Sequence, residues 1–173
     1  MRNHLSLIVV ALGLALSIGT ASADDFDTGW DAYEAGEYAE AVKWYRLAAE
    51  QGDADAQSNL GFMYANGRGV PENDAEAVKW YRLAAEQGNA SAQYNLALMY
   101  DEGEGVIQNN VIAHMLFNLA SAQGLDDSEL PLWKLALRKF LDLISPPMTP
   151  NDISRAQEMA RVCLEKKYKG CGF

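Results

Sequence analysis

The sequence predicts an all-α protein, a short α-solenoid of helix pairs closed by a C-terminal helical cap. Three observations carry that expectation. The segment AVKWYRLAAEQG occurs at 41–52 and again at 77–88, identical over 12 residues and displaced by 36. A further shift of 36 lands on AHMLFNLASAQG at 113–124, where Ala113, Leu119, Ala120, Gln123 and Gly124 persist and Phe117 stands in for Tyr45 and Tyr81. The other half of the unit repeats as well, since ADAQSNLGFMYANGRGV from Ala54 is answered by ASAQYNLALMYDEGEGV from Ala90. Periods of about 20–50 residues mark stacked supersecondary units, none of which can bury its apolar face alone.

The elements follow in order. Arg2, the apolar run Leu5 to Ile18 and the small-residue site Ala21-Ser22-Ala23 read as a secretory signal cleaved after Ala23. The run has 14 residues, short of the roughly 20 that span a bilayer. No cysteine near the cut supports a lipid anchor. The mature chain is therefore expected to run from Asp24 to Phe173 in the periplasm or outside the cell, without membrane insertion.

Three helix-pair units are expected at 28–52, 53–88 and 89–124. In the second, Asp53 can cap a helix with Ala56, Leu60, Met63 and Tyr64 on one face. Gly67 and Gly69 stop that helix, because a sharp turn often needs a positive φ. Asn73 or Asp74 caps the next helix, which carries Ala77, Trp80 or Tyr81, Ala84 and Ala85, and Gly88 ends it at C′. Asn89 aligns with the cap Asp53, although Asn89-Ala90-Ser91 also matches a glycosylation acceptor. The first unit is shorter: Gly29 to Ala41 spans 12 positions where Gly61 to Ala77 spans 16.

Residues 125–173 break the repeat but stay helical. Trp133, Leu137, Phe140, Leu141 and Ile144 form one apolar stripe ended by Pro146-Pro147. Thr149-Pro150-Asn151-Asp152 starts another helix, with Ile153, Ala156, Ala160, Cys163 and Leu164 as its stripe. Lys166, Lys167 and Lys169 suit its negative end, and Gly170 is expected to terminate it. Cys163 and Cys171 are the only cysteines, and in an oxidising compartment they are expected to form a disulfide. On a continuous helix they would lie about 12 Å apart along the axis, so the bond requires a turn before Cys171. The spacing is not the CxxC of a redox-active pair.

The pattern Ala56, Leu60-Gly61, Tyr64, Gly67-x-Gly69-Val70, Ala77, Trp80-Tyr81, Ala84-Ala85 and Gly88 resembles the Sel1-like repeat family, kin of tetratricopeptide repeats. The resemblance covers about Thr28 to Gly124. The short first unit is more like a plain tetratricopeptide unit. The resemblance implies a right-handed α-solenoid that serves as an adaptor or scaffold, with the first helix of each unit lining a concave groove. Carried over residue by residue, it places Trp30, Phe62 and Leu98 inward, with Ser58 and Tyr94 four residues before the last two. Tyr33, Asn66, Asp101 and Glu102 lie further along. Phe62 and Leu98 have the alternative of packing between units.

Charge narrows the partner. The chain has 24 acidic and 14 basic side chains, a formal net of −10. Residues 24–130 hold 20 acids and 5 bases, whereas 131–173 hold 4 acids and 8 bases. Nucleic acid is disfavoured, because lysine and arginine supply most of such binding. The groove is expected to take a protein or peptide segment, with a basic one favoured, and the chain is expected to be a monomer without a cofactor. His114 is the sole histidine after Ala23, so it alone could anchor a catalytic triad or histidine metal site. It holds the place of Val42 and Val78, a helix position. The loop Asp101-Glu102-Gly103-Glu104-Gly105 lacks EF-hand spacing. Some cysteine-rich relatives are described as β-lactamases or penicillin binders, which makes such an enzyme the alternative reading. This chain lacks their regular cysteine pairs and any Ser-x-x-Lys. A self-assembling envelope subunit is the third reading.

Overall fold

A computed structural model describes residues 23–123 and 148–173. The signal segment and the stripe from Trp133 to Ile144 lie outside the described residues. Among them there are seven helices and no strand: α1 (Ala23–Glu34), α2 (Tyr38–Glu50), α3 (Ala54–Ala65), α4 (Asp74–Glu86), α5 (Ala90–Glu102), α6 (Asn110–Ala122) and α7 (Pro150–Glu165). None of these helices is long and apolar enough to cross a membrane.

Helix starts are set by side-chain caps. Asp53, Asn73, Asn89, Asn109 and Thr149 each accept a hydrogen bond from the backbone N–H three residues on, at 2.7, 3.1, 2.8, 3.1 and 3.2 Å. Asn73 is thus the cap and Asp74 the first helical residue. Thr149 and Asp152 complete a reciprocal capping box with Pro150 in the first turn. The end of α7 differs from expectation. It stops at Glu165, and Lys167 and Tyr168 turn the chain with φ of 50° and 66°. The Tyr168 N–H donates to the Cys163 carbonyl at 2.9 Å and the Lys167 N–H to Leu164 at 3.0 Å, a Schellman closure built without glycine. Gly170 belongs to the tail that follows. There the Cys163–Cys171 disulfide closes, with Cα atoms 5.2 Å apart.

The helices pack consecutively: α1 on α2, α2 on α3, and so on to α6, with α7 against α6. The C-terminal helix therefore stands where the first helix of a further unit would. Alanines make the close approach possible. Ala41, Ala77 and Ala113, and the pairs Ala48-Ala49 and Ala84-Ala85, are buried. Ala156, Ala160, Cys163 and Phe173 extend the same core onto α7. Leu164, assigned to that apolar stripe in the sequence, is exposed instead.

The glycine loops join neighbouring units. Gly69 has φ +71°, and a Cβ there would stand 2.3 Å from the Tyr38 carbonyl oxygen; at Gly105, φ +65°, it would meet the Asp74 backbone at 2.5 Å. Each loop thus sits on the start of the preceding unit's second helix. In the first unit only residues 35–37 separate α1 from α2, so it carries no such loop.

Glutamines supply the polar counterpart. The Gln93 amide donates to the Ala85 carbonyl at 3.2 Å and its oxygen accepts from Gln123 at 2.8 Å. Gln57 repeats this with Ala49 at 3.0 Å and Gln87 at 2.8 Å. Gln93 is fully buried. Gln93→Ala leaves the Ala85 carbonyl without that donor and opens a cavity, an expected loss of about 2 kcal/mol in urea unfolding. The same substitution at exposed Gln51 should cost well under half of that.

Candidate partner-binding face

The first helices α1, α3 and α5 place equivalent residues side by side: Trp30, Phe62 and Leu98 in one row, and Tyr33, Ala65 and Asp101 in the next. At the α1–α3 end a pocket of about 220 Å³ is lined by Trp30, Tyr33, Tyr45, Asn59, Phe62 and Met63. Trp30 is 46% exposed and stacks on Tyr33, ring centroids 6.0 Å apart at 26°. Three of the residues expected in the groove, Trp30, Tyr33 and Phe62, therefore meet in one cavity.

The others do not. Ser58 and Tyr94 are 6% and 4% exposed, so they lie beneath the face rather than on it. Tyr94 packs edge-on against Phe117 at 5.3 Å. Local packing accounts for the difference between units. Gly29 and Gly61 face the buried rings of Tyr45 and Tyr81, where a Cβ would come within 2.8 Å. The third unit has Ala97 at that place, and its ring, Phe117, is only half-buried. Asn66 is exposed and caps the end of α3, its amide donating to the Phe62 carbonyl at 2.8 Å. Leu98 is half-buried, and the Asp101 carbonyl accepts from the Gln108 amide at 2.7 Å.

Three residues not expected from the sequence line the pocket, and a fourth packs against two of its rings. Asn59 and Met63 follow from α3 lying beside α1. Tyr45 is buried and reaches the cavity from α2, across the gap left by Gly29. Burial pushes its phenol up to about 12, with the neighbouring Asn59 amide acting in the opposite direction. Arg68 comes from the glycine loop. Its guanidinium donates to the Tyr33 hydroxyl and lies 5.9, 5.5 and 5.2 Å from the ring centres of Tyr33, Tyr38 and Phe62. The available signal was the loop itself: GRG in the second unit becomes GEG in the third.

The electrostatics differ at the other end. Glu104 holds the place of Arg68, and the Glu102 carboxyl is raised by burial first, then by Glu104 and Asp101. His114 is half-buried on α6, its Nδ1 3.0 Å from the Asn118 amide.

Stacked helix pairs with an open aromatic pocket on the first-helix face define an α-solenoid repeat protein. The chain belongs to the Sel1 repeat family, whose model matches residues 28–53, 54–89 and 90–125. Such repeats generally mediate protein–protein interaction. The chain is similar to the exopolysaccharide production negative regulator of Rhizobium meliloti (strain 1021), at 38% identity over 88 residues, covering 40% of this chain and 33% of that protein. The corresponding regulator of Rhizobium leguminosarum bv. viciae is 45% identical over 51 residues, 30% of this chain and 19% of that one. Among solved structures, a protective antigen present in uropathogenic Escherichia coli strains, displaying an SLR fold, superposes with TM-score 0.70 at 29% identity. That match covers 88% of this chain and 32% of the antigen. A Sel1 repeat protein from Oxalobacter formigenes gives TM-score 0.55 at 34% identity, over 66% and 86% of the two chains. This chain thus spans about a third of the first curated relative and of the antigen.

Proposed function

We propose that the protein is an exported, non-enzymatic adaptor that binds a segment of a partner protein on the face formed by α1, α3 and α5. The observation that carries this reading is the pocket beside Trp30, a large aromatic left 46% exposed at its rim. Exposed aromatics over a preformed cavity are the usual energetic centre of an interface. A groove already built loses little entropy on binding. The acidic end at Asp101, Glu102 and Glu104 suits basic groups further along the segment. The protein acts as a monomer in the periplasm or outside the cell. Its likeness to two regulators of exopolysaccharide production favours a regulatory adaptor over a structural subunit.

The test is affinity capture from envelope extract with the native protein and a Trp30→Ala variant matched in helicity and melting temperature. A partner held by the native bait should be retained about tenfold less by the variant, as expected for loss of an interface anchor. Equal capture by both baits overturns the reading. Hydrolysis of a chromogenic β-lactam would establish the enzyme instead, and concentration-dependent sedimentation would establish self-assembly.

A further inference from the structure

We propose that the pocket between α1, α2 and α3 takes one tyrosine or tryptophan of the partner segment, while Arg68 binds a carboxylate next to it. The inference rests on the first-helix face being the partner surface, and adds the chemistry of what binds at its N-terminal end. Size sets the first limit. About 220 Å³ is below the roughly 300–1,000 Å³ of sites for drug-sized ligands, and holds one large side chain.

The lining sets the second limit. Trp30, Tyr33, Tyr45, Phe62 and Met63 offer apolar and aromatic walls, whereas Asn59 brings a polar amide to the same cavity. The Tyr45 side chain is almost wholly buried and its hydroxyl is sealed from solvent, so it forms the floor of the cavity rather than a contact for the ligand. The half-buried Asn59 amide is the polar group open to the cavity, and its donor and acceptor can pair with an incoming polar tip. Tyrosine and tryptophan carry such a tip on an apolar body; leucine and phenylalanine do not.

Arg68 sets the third. A guanidinium has five N–H donors, and among the described residues that of Arg68 donates to the Tyr33 hydroxyl alone. Three ring faces hold the cation in place but do not neutralise it, and among the described residues it forms no ion pair. A planar, pre-positioned fork of donors fits a carboxylate. The acidic groups of the third unit select the opposite charge, so the face has a direction. The segment carries its acid and aromatic side by side at the α1–α3 end and its basic groups towards α5.

Selection of random 12-residue peptides displayed on phage, against the purified protein, tests this. The pool should enrich Asp or Glu adjacent to Tyr or Trp. Synthetic versions should bind Arg68→Glu about tenfold or more weakly, and Arg68→Lys, which keeps charge but not the fork, to an intermediate degree. The fold accepts glutamate there, because Glu104 occupies the same loop position in the third unit. Selection repeated on Arg68→Glu should replace the acid by lysine or arginine. Enriched peptides that lack the acid–aromatic pair, or bind Arg68→Glu unchanged, overturn the inference and leave the adaptor reading standing if Trp30→Ala still weakens them. Failure to enrich any peptide sensitive to Trp30, Phe62 or Leu98 overturns both.

Discussion

Gly69→Ala is expected to destabilise the protein by about 3 kcal/mol or more, which would make it among the most damaging single-methyl changes in the chain. Two costs combine. The residue sits at φ +71°, a left-handed conformation worth roughly 1–2 kcal/mol against any residue with a Cβ. The added carbon would also stand 2.3 Å from the Tyr38 carbonyl oxygen and 2.7 Å from the Ala39 nitrogen. Both are backbone atoms at the start of α2, so no side chain can rotate away. Overpacking of that kind costs about 1–3 kcal/mol. The loop must lift from α2 and weaken the junction between the first two units. Gly52→Ala separates the two contributions, since Gly52 has φ +98° with nothing within 4 Å of the new carbon. It should lose only the conformational part, about 1–2 kcal/mol. Urea midpoints of the two variants decide the matter, and equal midpoints would mean that the loop is not seated on α2.

Breaking the Cys163–Cys171 disulfide is expected to cost about 2.5 kcal/mol. The cysteines are eight residues apart, and loop-closure entropy for so short a loop gives a value near the low end of the usual 2–5 kcal/mol. For a chain of this size that corresponds to a fall in Tm of about 5–10 °C. The Cys163→Ala, Cys171→Ala variant and the native protein under dithiothreitol should melt alike. The damage should stay at the C-terminal end. Cys163 and Phe173 are buried against the core shared by α5, α6 and α7, whereas the pocket belongs to α1, α2 and α3. Partner capture at 25 °C should therefore be unchanged. An unaltered melting curve would show that the bond carries no stability, and lost capture would show that the two ends are coupled.

What could be read from the sequence was whatever local chemistry decides. The 36-residue displacement gave the helix pairs, and Asp53, Asn89 and Thr149 gave helix starts because a cap acts on an N–H three residues away. The end of α7 was misread for the same reason. Gly170 is the local stop signal, but the chain turns at Lys167 and Tyr168. The Tyr168 ring packs close to Gly88, and a contact across so many residues leaves no mark in the local sequence.

The candidate face divides along similar lines. Trp30, Tyr33 and Phe62 could be placed by register along the first helices. The burial of Tyr94 depends on Phe117, which α6 supplies. Gly67-x-Gly69 was legible as a turn, but not as the carrier of Arg68. The guanidinium's aromatic surroundings come from α1, α2 and α3 together, and only packing brings these three helices to one point.

The most direct test of a partner-binding first-helix face is site-specific photocrosslinking in cells that produce the protein. A photoreactive phenylalanine is placed at Trp30 in one variant and in another at Leu83, which is 46% exposed on α4 and outside the pocket. A single discrete adduct from position 30, absent from position 83, is the predicted result. An adduct from position 83 alone, or adducts only between copies of this chain, would contradict it.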